Sequence, residues 1–439
     1  MILHLTTVVR MVLVVAAALL ITRRPVLAQG HELVRTDGFV ARRKGVALIV
    51  DLLTPHRVLT TSTIGPGLGH GLRHIVNIQS MEARGHGRRL QARLTVGRAR
   101  HHQMTAGHLG LPPEATALMG TAAHQGHLGH ASGTFRELRV DAFATAGVHG
   151  NALSAGDPAS YHQTGNGTRK VVADGTINVI LIINQPVAPG AVVKAATVAV
   201  EAKVAALRSL AVPSTKSSEL ATGTGTDQLT IAVRLPSKQG PPKPNSPKPR
   251  SPTSRPATRT AGRVLESASQ HLKLGQLIGE TVRDAVRDAI ERQNGLAPGA
   301  TRSLCYALKR FGLTESRLRA RLARHLSSEA LQLLLANLSA IEREPRVAAA
   351  GFAFAAVLDR EQYGTIDRLS AQSVLRDQAA TLAVAVAQRP DRYAGFWKQL
   401  SGPYQDRTDL AIHALAIGFA AKWRDDVETV VRRTHPWHP

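Results

Sequence analysis

The sequence predicts an α+β domain, a mixed sheet with packed helices, followed by an all-α helical C-terminal domain. Three observations carry that expectation. Residues 31–295 set short β-branched runs against two long helical patterns. Residues 300–439 are rich in Ala, Leu and Arg at helical spacing, punctuated by Pro and Gly. Pro236–Ala261 is proline-rich and basic with no acidic residue, so it builds no core and reads as an extended insertion within the first domain.

The strand-like runs are Gly45–Leu53, Arg57–Thr63, Leu72–Ile78, Leu138–Ala146, Ile177–Ile183 and Leu229–Leu235. Pro186 and Pro189 end the fifth of them. A helix is expected from Gly190 to Leu210, closed by Pro213, and a second from Leu274 to Gln293, ended by Asn294-Gly295. Beyond residue 300 the periodic stretches are Ser316–His325, Ser328–Ile341, Val347–Asp359, Ser370–Gln388 and Thr408–Trp423. They read as a small helical bundle without a catalytic motif, an accessory domain of unassigned role.

Composition narrows the function classes. The chain has 439 residues, enough for two or three domains. Its formal net charge is +24, a surplus that favours anionic partners. Aromatics make up only 4% of the residues, which argues against a base-stacking platform and leaves solvated Arg-rich faces as the plainer reading. Cys305 is the single cysteine, so neither a disulfide framework nor a cysteine-rich metal site is available. Residues 1–28 are signal-like. Val12–Ile21 has the length of an exported segment's apolar core and Val26-Leu27-Ala28 supplies small residues at a cleavage position, while Arg23-Arg24 falls between them. The run is short for a membrane span. Export, an uncleaved anchor and a misplaced start all stay open.

Most of the 19 histidines fall between His56 and His162. His124, His127 and His130 recur at intervals of three, which invites a metal reading. Glycines interrupt Gln125–Ser132, so it makes a poor helix, and these histidines are expected on loops with no metal bound.

The chemistry concentrates between Gly175 and Ile231. On the helix Gly190–Leu210, Lys194, Thr197, Glu201 and Arg208 form one narrow polar stripe. Lys203 lies off that stripe among Ala and Val, so its ammonium must either snorkel to water or find a carboxylate. The loop Thr222-Gly223-Thr224-Gly225-Thr226-Asp227 alternates hydroxyls with glycines and ends in an acid. Its glycines expose backbone N–H groups that can cradle a phosphate or an oxyanion, and it lacks the Gly-Lys-Ser/Thr signature of a P-loop.

This block, GTINVILIINQP followed by PGA, EAK and ATGTGTDQ, resembles the adenosylcobinamide amidohydrolase family of cobalamin salvage. Upstream the resemblance continues through Pro55–Ser62, Asn77–Glu82 with Gly85-His86, Leu109–Pro113, Met119–Ala123, Thr145–Val148, Gly150–Ala152 and Ala155–Pro158. Downstream it includes His271–Gly279. It covers roughly residues 45–295. It implies hydrolysis of the amide between aminopropanol and the corrin ring of adenosylcobinamide, giving adenosylcobyric acid and 1-aminopropan-2-ol. The adenosylated, cobalt-containing corrinoid is the substrate, and no further cofactor is implied. Three departures stand out: Ile64-Gly-Pro-Gly67 where an Asn-Gly-Gly loop is expected, no cysteine near Met81, and histidines after Ala123. They motivate a non-catalytic corrinoid-binding or regulatory protein as the alternative; a basic nucleic-acid-binding protein, resting on charge alone, is the second.

Glu82 or His86 is the expected general base and proton shuttle, with Asp227, Glu201 and Lys203 orienting the set. Asn77, Asn151, Asp157, Glu201, Lys203, Thr222, Gly223, Thr224, Gly225, Thr226, His271 and Lys273 are the expected substrate-binding residues. The partner is a small corrinoid rather than nucleic acid. The salvage chemistry implies the cytoplasm, against the export-like or membrane-anchoring appearance of residues 1–28.

Overall fold

The computed structural model describes residues 30–62, 67–80, 96–159, 175–236, 264–402, 404 and 406–433, with the backbone alone for 163–164, 167–168 and 423–433. The expected N-terminal segment 1–28, the candidates Glu82 and His86, and nearly all of the insertion 236–261 lie outside them.

In chain order the first domain contains β1 (His31–Arg35), β2 (Phe39–Lys44), β3 (Ala47–Leu52), β4 (His56–Thr60), β5 (Leu68–His70), β6 (His74–Gln79), α1 (Arg98–Leu109), β7 (Thr116–Thr121), β8 (Gly129–Phe135) and β9 (Leu138–Ala146). There follow β10 (Ala152–Leu153), the small ribbon β11 (Gln163–Thr164) with β12 (Gly167–Thr168), β13 (Ile177–Ile183), α2 (Pro189–Ser209), β14 (Gly223–Thr224), β15 (Gln228–Arg234) and α3 (Lys273–Asn294). Two large sheets form, in the orders β1-β2-β3-β6-β7 and β5-β4-β15-β13-β9-β8, beside the two-stranded pairs β10-β14 and β11-β12. Each large sheet is mixed. β6 and β7 run parallel, as do β13 and β15, and the rest are antiparallel. Parallel neighbours need a crossover, and here a helix supplies it: α1 between β6 and β7, α2 between β13 and β15.

The result is a four-layer helix–sheet–sheet–helix sandwich. Between the sheets lie Phe39, Val50, Ile75, Met119, Phe143, Ile180 and Ile182. The outer face of the first sheet is closed by Ala106 and Leu109 of α1, that of the second by α2 and α3. Strand β13 is covered on both faces, which is why Ile177–Ile183 is apolar almost throughout rather than alternating. Helix α3 lies so close to the edge strand β8 that a Cβ at Gly129 would come within 2.1 Å of the Ala285 carbonyl oxygen. Only glycine admits that approach.

Beyond α3 the chain is helical: α4 (Pro298–Thr301), α5 (Leu304–Lys309), α6 (Glu315–Leu322), α7 (Ser328–Arg343), α8 (Pro345–Gln362), α9 (Arg368–Ala387), α10 (Tyr393–Gln399) and α11 (Arg407–Arg433). These helices close on their own core, which includes Leu322, Phe354, Leu375, Phe396 and Leu415. The expected α+β domain and the all-α region after it are both present. No helix among the described residues is long and apolar enough to cross a membrane.

The helical region carries a pH-sensitive contact. The rings of His325 and His413 stack with centroids 4.1 Å apart, and His413 Nδ1 is hydrogen-bonded to the Tyr404 hydroxyl at 2.9 Å. Burial, with His325 adding to it, pushes the His413 pKa from 6.5 down to about 4. Between those values the unfolded chain binds the extra proton, so stability is full above about pH 6.5 and declines as pH falls toward 4. All three tryptophans (Trp397, Trp423, Trp437) lie in this region. Melting followed by tryptophan fluorescence is expected to show Tm falling between pH 7 and pH 4.5, and His413→Gln is expected to flatten that slope.

Candidate active site

One end of the sandwich is where polar groups gather. The C-terminal ends of β6, β7 and β9 meet the N-terminal ends of β13 and β15 there, because β9 is antiparallel to β13 and β15 is parallel to it. Two polar clusters flank the start of β13, one on each face of its sheet.

The first lies between the sheets. Asn178 donates to Asn77 Oδ1 at 2.9 Å and to the Gly120 carbonyl at 2.9 Å. Asn77 donates to Thr145 Oγ1 at 2.9 Å, and Thr145 to Thr121 Oγ1 at 3.3 Å. The Gln125 amide closes on the Asn77 carbonyl at 3.0 Å. Asn77, Thr121, Thr145 and Asn178 are each at most 1% exposed, so this layer ties the sheets together and has no open face. A buried polar group without a partner is costly, and most of the polar atoms here are matched.

The second lies on the α2 side and is partly open. Asp227 accepts from Lys203 Nζ at 2.5 Å, Thr224 Oγ1 at 2.5 Å, Thr224 N at 3.1 Å and Ile177 N at 3.0 Å. Lys203, which needed a carboxylate on sequence grounds, has found one. Its side chain is 13% exposed and that of Asp227 18%. Thr176 bridges the two clusters, donating to the Thr226 carbonyl at 2.7 Å and to Asn178 Oδ1 at 3.3 Å. Asn151 donates to the Gly175 carbonyl, just ahead of β13, at 3.0 Å and reaches Thr226 Oγ1 on the loop at 3.5 Å.

The glycine–threonine loop differs in detail from its expected role as a bank of free N–H donors. Thr222 N donates to the Leu153 carbonyl, Thr224 N to Asp227 and Thr226 N to Thr224 Oγ1. The Gly225 N–H engages no described residue, and Gly225 is exposed. Gly223 is there for space. A Cβ at that position would lie 2.4 Å from Asp227 Oδ2 and 2.8 Å from Lys203 Nζ.

The remaining expected residues are spread out. Asp157 accepts from Ser154 N at 2.7 Å and Ser214 Oγ at 2.6 Å. Burial alone would raise its pKa, but hydrogen bonds from Ser214, Ser217 and the Ser154 N–H outweigh that and hold it below the ordinary carboxylate value. Glu201 is exposed on α2 and takes the Gln270 amide. His271 and Lys273 lie at the start of α3, where Lys273 Nζ sits 5.1 Å from the Phe135 ring centroid. Phe135 pairs with Leu138, the far end of β9 from Ala146. At ~3.4 Å per residue that separates Lys273 from the Asp227 cluster by roughly 27 Å. Sequence reasoning passed over Thr121, Thr145, Thr176 and Asn178. The isolated polar Asn178 inside an apolar strand run was the available signal.

Beside the cluster is a cleft of about 510 Å³ between the α/β domain and the helical region. His149 and Lys216 lie on one side, Tyr306, Lys309 and Arg310 on the other. Burial, then the charge of Lys309, lowers the His149 pKa. The cleft joins the loop through Thr215, whose N–H donates to the Ala152 carbonyl on β10, the strand paired with β14. Arg310 forks onto Asp359 at 2.6 Å and reaches the Ser218 carbonyl at 2.7 Å, so the helical region grips the segment leading into the loop. Among the described residues no group of three or more His, Cys, Asp or Glu side chains converges to hold a metal ion.

The family profile for adenosylcobinamide amidohydrolase (CbiZ) matches residues 31–246. The uncharacterized protein MJ1613 of Methanocaldococcus jannaschii is 31% identical over 196 residues, 42% of this chain and 67% of its own. The chain belongs to the adenosylcobinamide amidohydrolase family. As a member it is an amide hydrolase. A Burkholderia sp. beta-aminopeptidase structure aligns over 60% of this chain and 83% of its own, with 13% identity and a TM-score of 0.30. The match to the amidohydrolase family takes in both sheets, α2 and the loop 222–227 and stops before α3 and the helical region.

Gly223→Ala is expected to cost about 2 kcal/mol, because the new methyl must displace a paired lysine and carboxylate. Gly225→Ala is expected to cost about 1 kcal/mol or less, since its nearest neighbour, Asn151 Oδ1, would be 3.3 Å away and can give. Urea unfolding followed by far-UV circular dichroism, with adenosylcobinamide absent, measures both.

Proposed function

We propose that this protein hydrolyses the amide that joins aminopropanol to the corrin ring of adenosylcobinamide, releasing adenosylcobyric acid and 1-aminopropan-2-ol. The observation that carries the reading is the family match across the segment that builds the open polar cluster at the end of β13 and β15. The reaction would let a salvaged corrinoid be rebuilt with a new nucleotide loop, a role that fits the cytoplasm. The corrinoid is the small-molecule partner, its cobalt arriving with the substrate.

Amide hydrolysis needs a nucleophile at the carbonyl, donors for the oxyanion, and a proton for the departing amine. Glu82 or His86 is assigned the proton shuttle. Both follow in the sequence shortly after Gln79, the last residue of β6. The loop 222–227 and Asn151 are assigned to hold the amide, with Asp227 and Lys203 orienting them. Asp157, on the segment that borders the cleft, is assigned to the corrin side chains. His271 and Lys273, at the far end of the sandwich, are assigned to the outer parts of so large a ligand, as is Glu201, which is exposed on α2 two residues from Lys203.

Incubation of the purified protein with adenosylcobinamide, with chromatography of the corrinoids and mass spectrometry of the amine, tests the reading. Equimolar adenosylcobyric acid and 1-aminopropan-2-ol are expected. Tight binding of adenosylcobinamide with neither product after prolonged incubation would replace it with a corrinoid-binding role.

A further inference from the structure

We propose that Thr224 Oγ1 is the nucleophile, with Asp227 its base and Lys203 the residue that positions the base. This rests on the amide-hydrolase reading, supplies the nucleophile that reading lacks, and gives Asp227 the proton transfers there assigned to Glu82 or His86.

An activated hydroxyl needs a base within hydrogen-bond reach and a third group that fixes the base. Thr224 Oγ1 donates to Asp227 Oδ1 at 2.5 Å. Lys203 Nζ holds the other oxygen, Oδ2, at 2.5 Å, and the Ile177 N–H at the start of β13 holds Oδ1 at 3.0 Å. With its proton committed to Asp227, the Thr224 oxygen keeps lone-pair density for attack, met among the described residues only by a long contact of 3.4 Å from Thr226 N. Thr224 is half-buried, and Gly225 and Thr226 beside it are exposed. The hydroxyls of the inter-sheet layer, Thr121 and Thr145, are at most 1% exposed and closed to a ligand the size of a corrin. The exposed Gly225 N–H, next along the chain and engaged by no described residue, is placed to donate to an oxyanion formed on Thr224.

The steps balance. Thr224 Oγ1 bonds to the amide carbon and its proton passes to Asp227. The C–N bond breaks, the proton goes to nitrogen, and the amine leaves. The acyl group stays as an ester on Thr224. Water then attacks the ester carbon and gives a proton to Asp227, which returns it to Thr224 Oγ1 as the C–O bond breaks. The carboxylic acid leaves, and the sum is amide plus water to acid plus amine.

Two measurements test this. The first is turnover of adenosylcobinamide by Thr224→Ala, Thr224→Ser and Lys203→Met, with circular dichroism as a check on folding. Thr224→Ala is expected to lose at least a thousandfold in kcat, Thr224→Ser to retain a tenth or more, and Lys203→Met to lose at least tenfold in kcat with KM held. The second is peptide mass mapping after treatment with a small β-lactone, which acylates activated threonines whatever the natural substrate. An adduct on Thr224, absent in Lys203→Met, is expected. Acylation of Thr224 without any turnover of adenosylcobinamide by the wild type would sink the corrinoid reading and support the nucleophile. Turnover by the wild type that survives in Thr224→Ala, or a lactone that leaves Thr224 unmodified, would overturn the nucleophile, with the corrinoid reading judged by its own products.

Discussion

The Asp227 carboxylate is the constraint on which the open end of the sandwich depends. One side chain receives the Lys203 ammonium from α2, the N–H that begins β13, and both the N–H and the hydroxyl of Thr224. A carboxylate has about four lone-pair sites, and all are in use. Three elements far apart in sequence are thereby fixed to one point. The lysine repays its own desolvation only through this pairing. Loss of either partner would strand the other, a change that typically costs about 3 kcal/mol or more when both are largely shielded. Gly223 follows from the same geometry, since no larger residue fits against the pair.

Behind this cluster, the layer of Asn77, Thr121, Thr145 and Asn178 does different work. Its members come from β6, β7, β9 and β13, so its hydrogen bonds cross between the two sheets as well as along them. Apolar packing alone would allow two sheets to slide or tilt. Directional bonds between buried amides and hydroxyls do not, because each slip leaves a polar atom unpaired. The inter-sheet layer therefore holds the frame, and the Asp227 cluster is presented on it. That division explains why Asn77, a residue expected at the substrate, is buried instead.

Much of this frame was readable from sequence. Leu138–Ala146 and Ile177–Ile183 match their observed limits, the second because a strand covered on both faces is apolar almost without interruption, the first although Arg139, Asp141 and Thr145 break its apolar run. Helix α2 and the need of Lys203 for a carboxylate were legible too, since a lysine among alanines has few choices. What was missed shares one cause: tertiary contacts override local pattern. β8 reads as a polar, glycine-broken loop, yet its glycines are what let α3 close over it. His124, His127 and His130 were expected on loops. His124 and His127 do lie at a short turn, but His130 sits on β8, stacked on Phe143 4.4 Å away and hydrogen-bonded to Asp141. α1 was hidden by the arginines and histidines of its exposed face. That the sheets pack face to face is a property of pairs of strands distant in sequence, which no local window reports.

The helical region lies outside the family match, yet it has a physical connection to the site. Arg310 and Arg302 donate to the Ser218 and Ser209 carbonyls, and the Tyr363 hydroxyl and Gln362 amide both reach Glu219. Those contacts fall on the chain between the end of α2, which carries Lys203, and the loop that carries Thr224 and Asp227. A segment of about a dozen residues without regular structure would ordinarily be the most mobile part of such a site. Here it is held from outside by a second hydrophobic core, and from inside by the Val212–Ala221 and Thr215–Ala152 backbone bonds. The bundle needs no catalytic residue to matter for the chemistry. It steadies the approach to a loop whose geometry depends on contacts near 2.5 Å, where a shift of one ångström would break them.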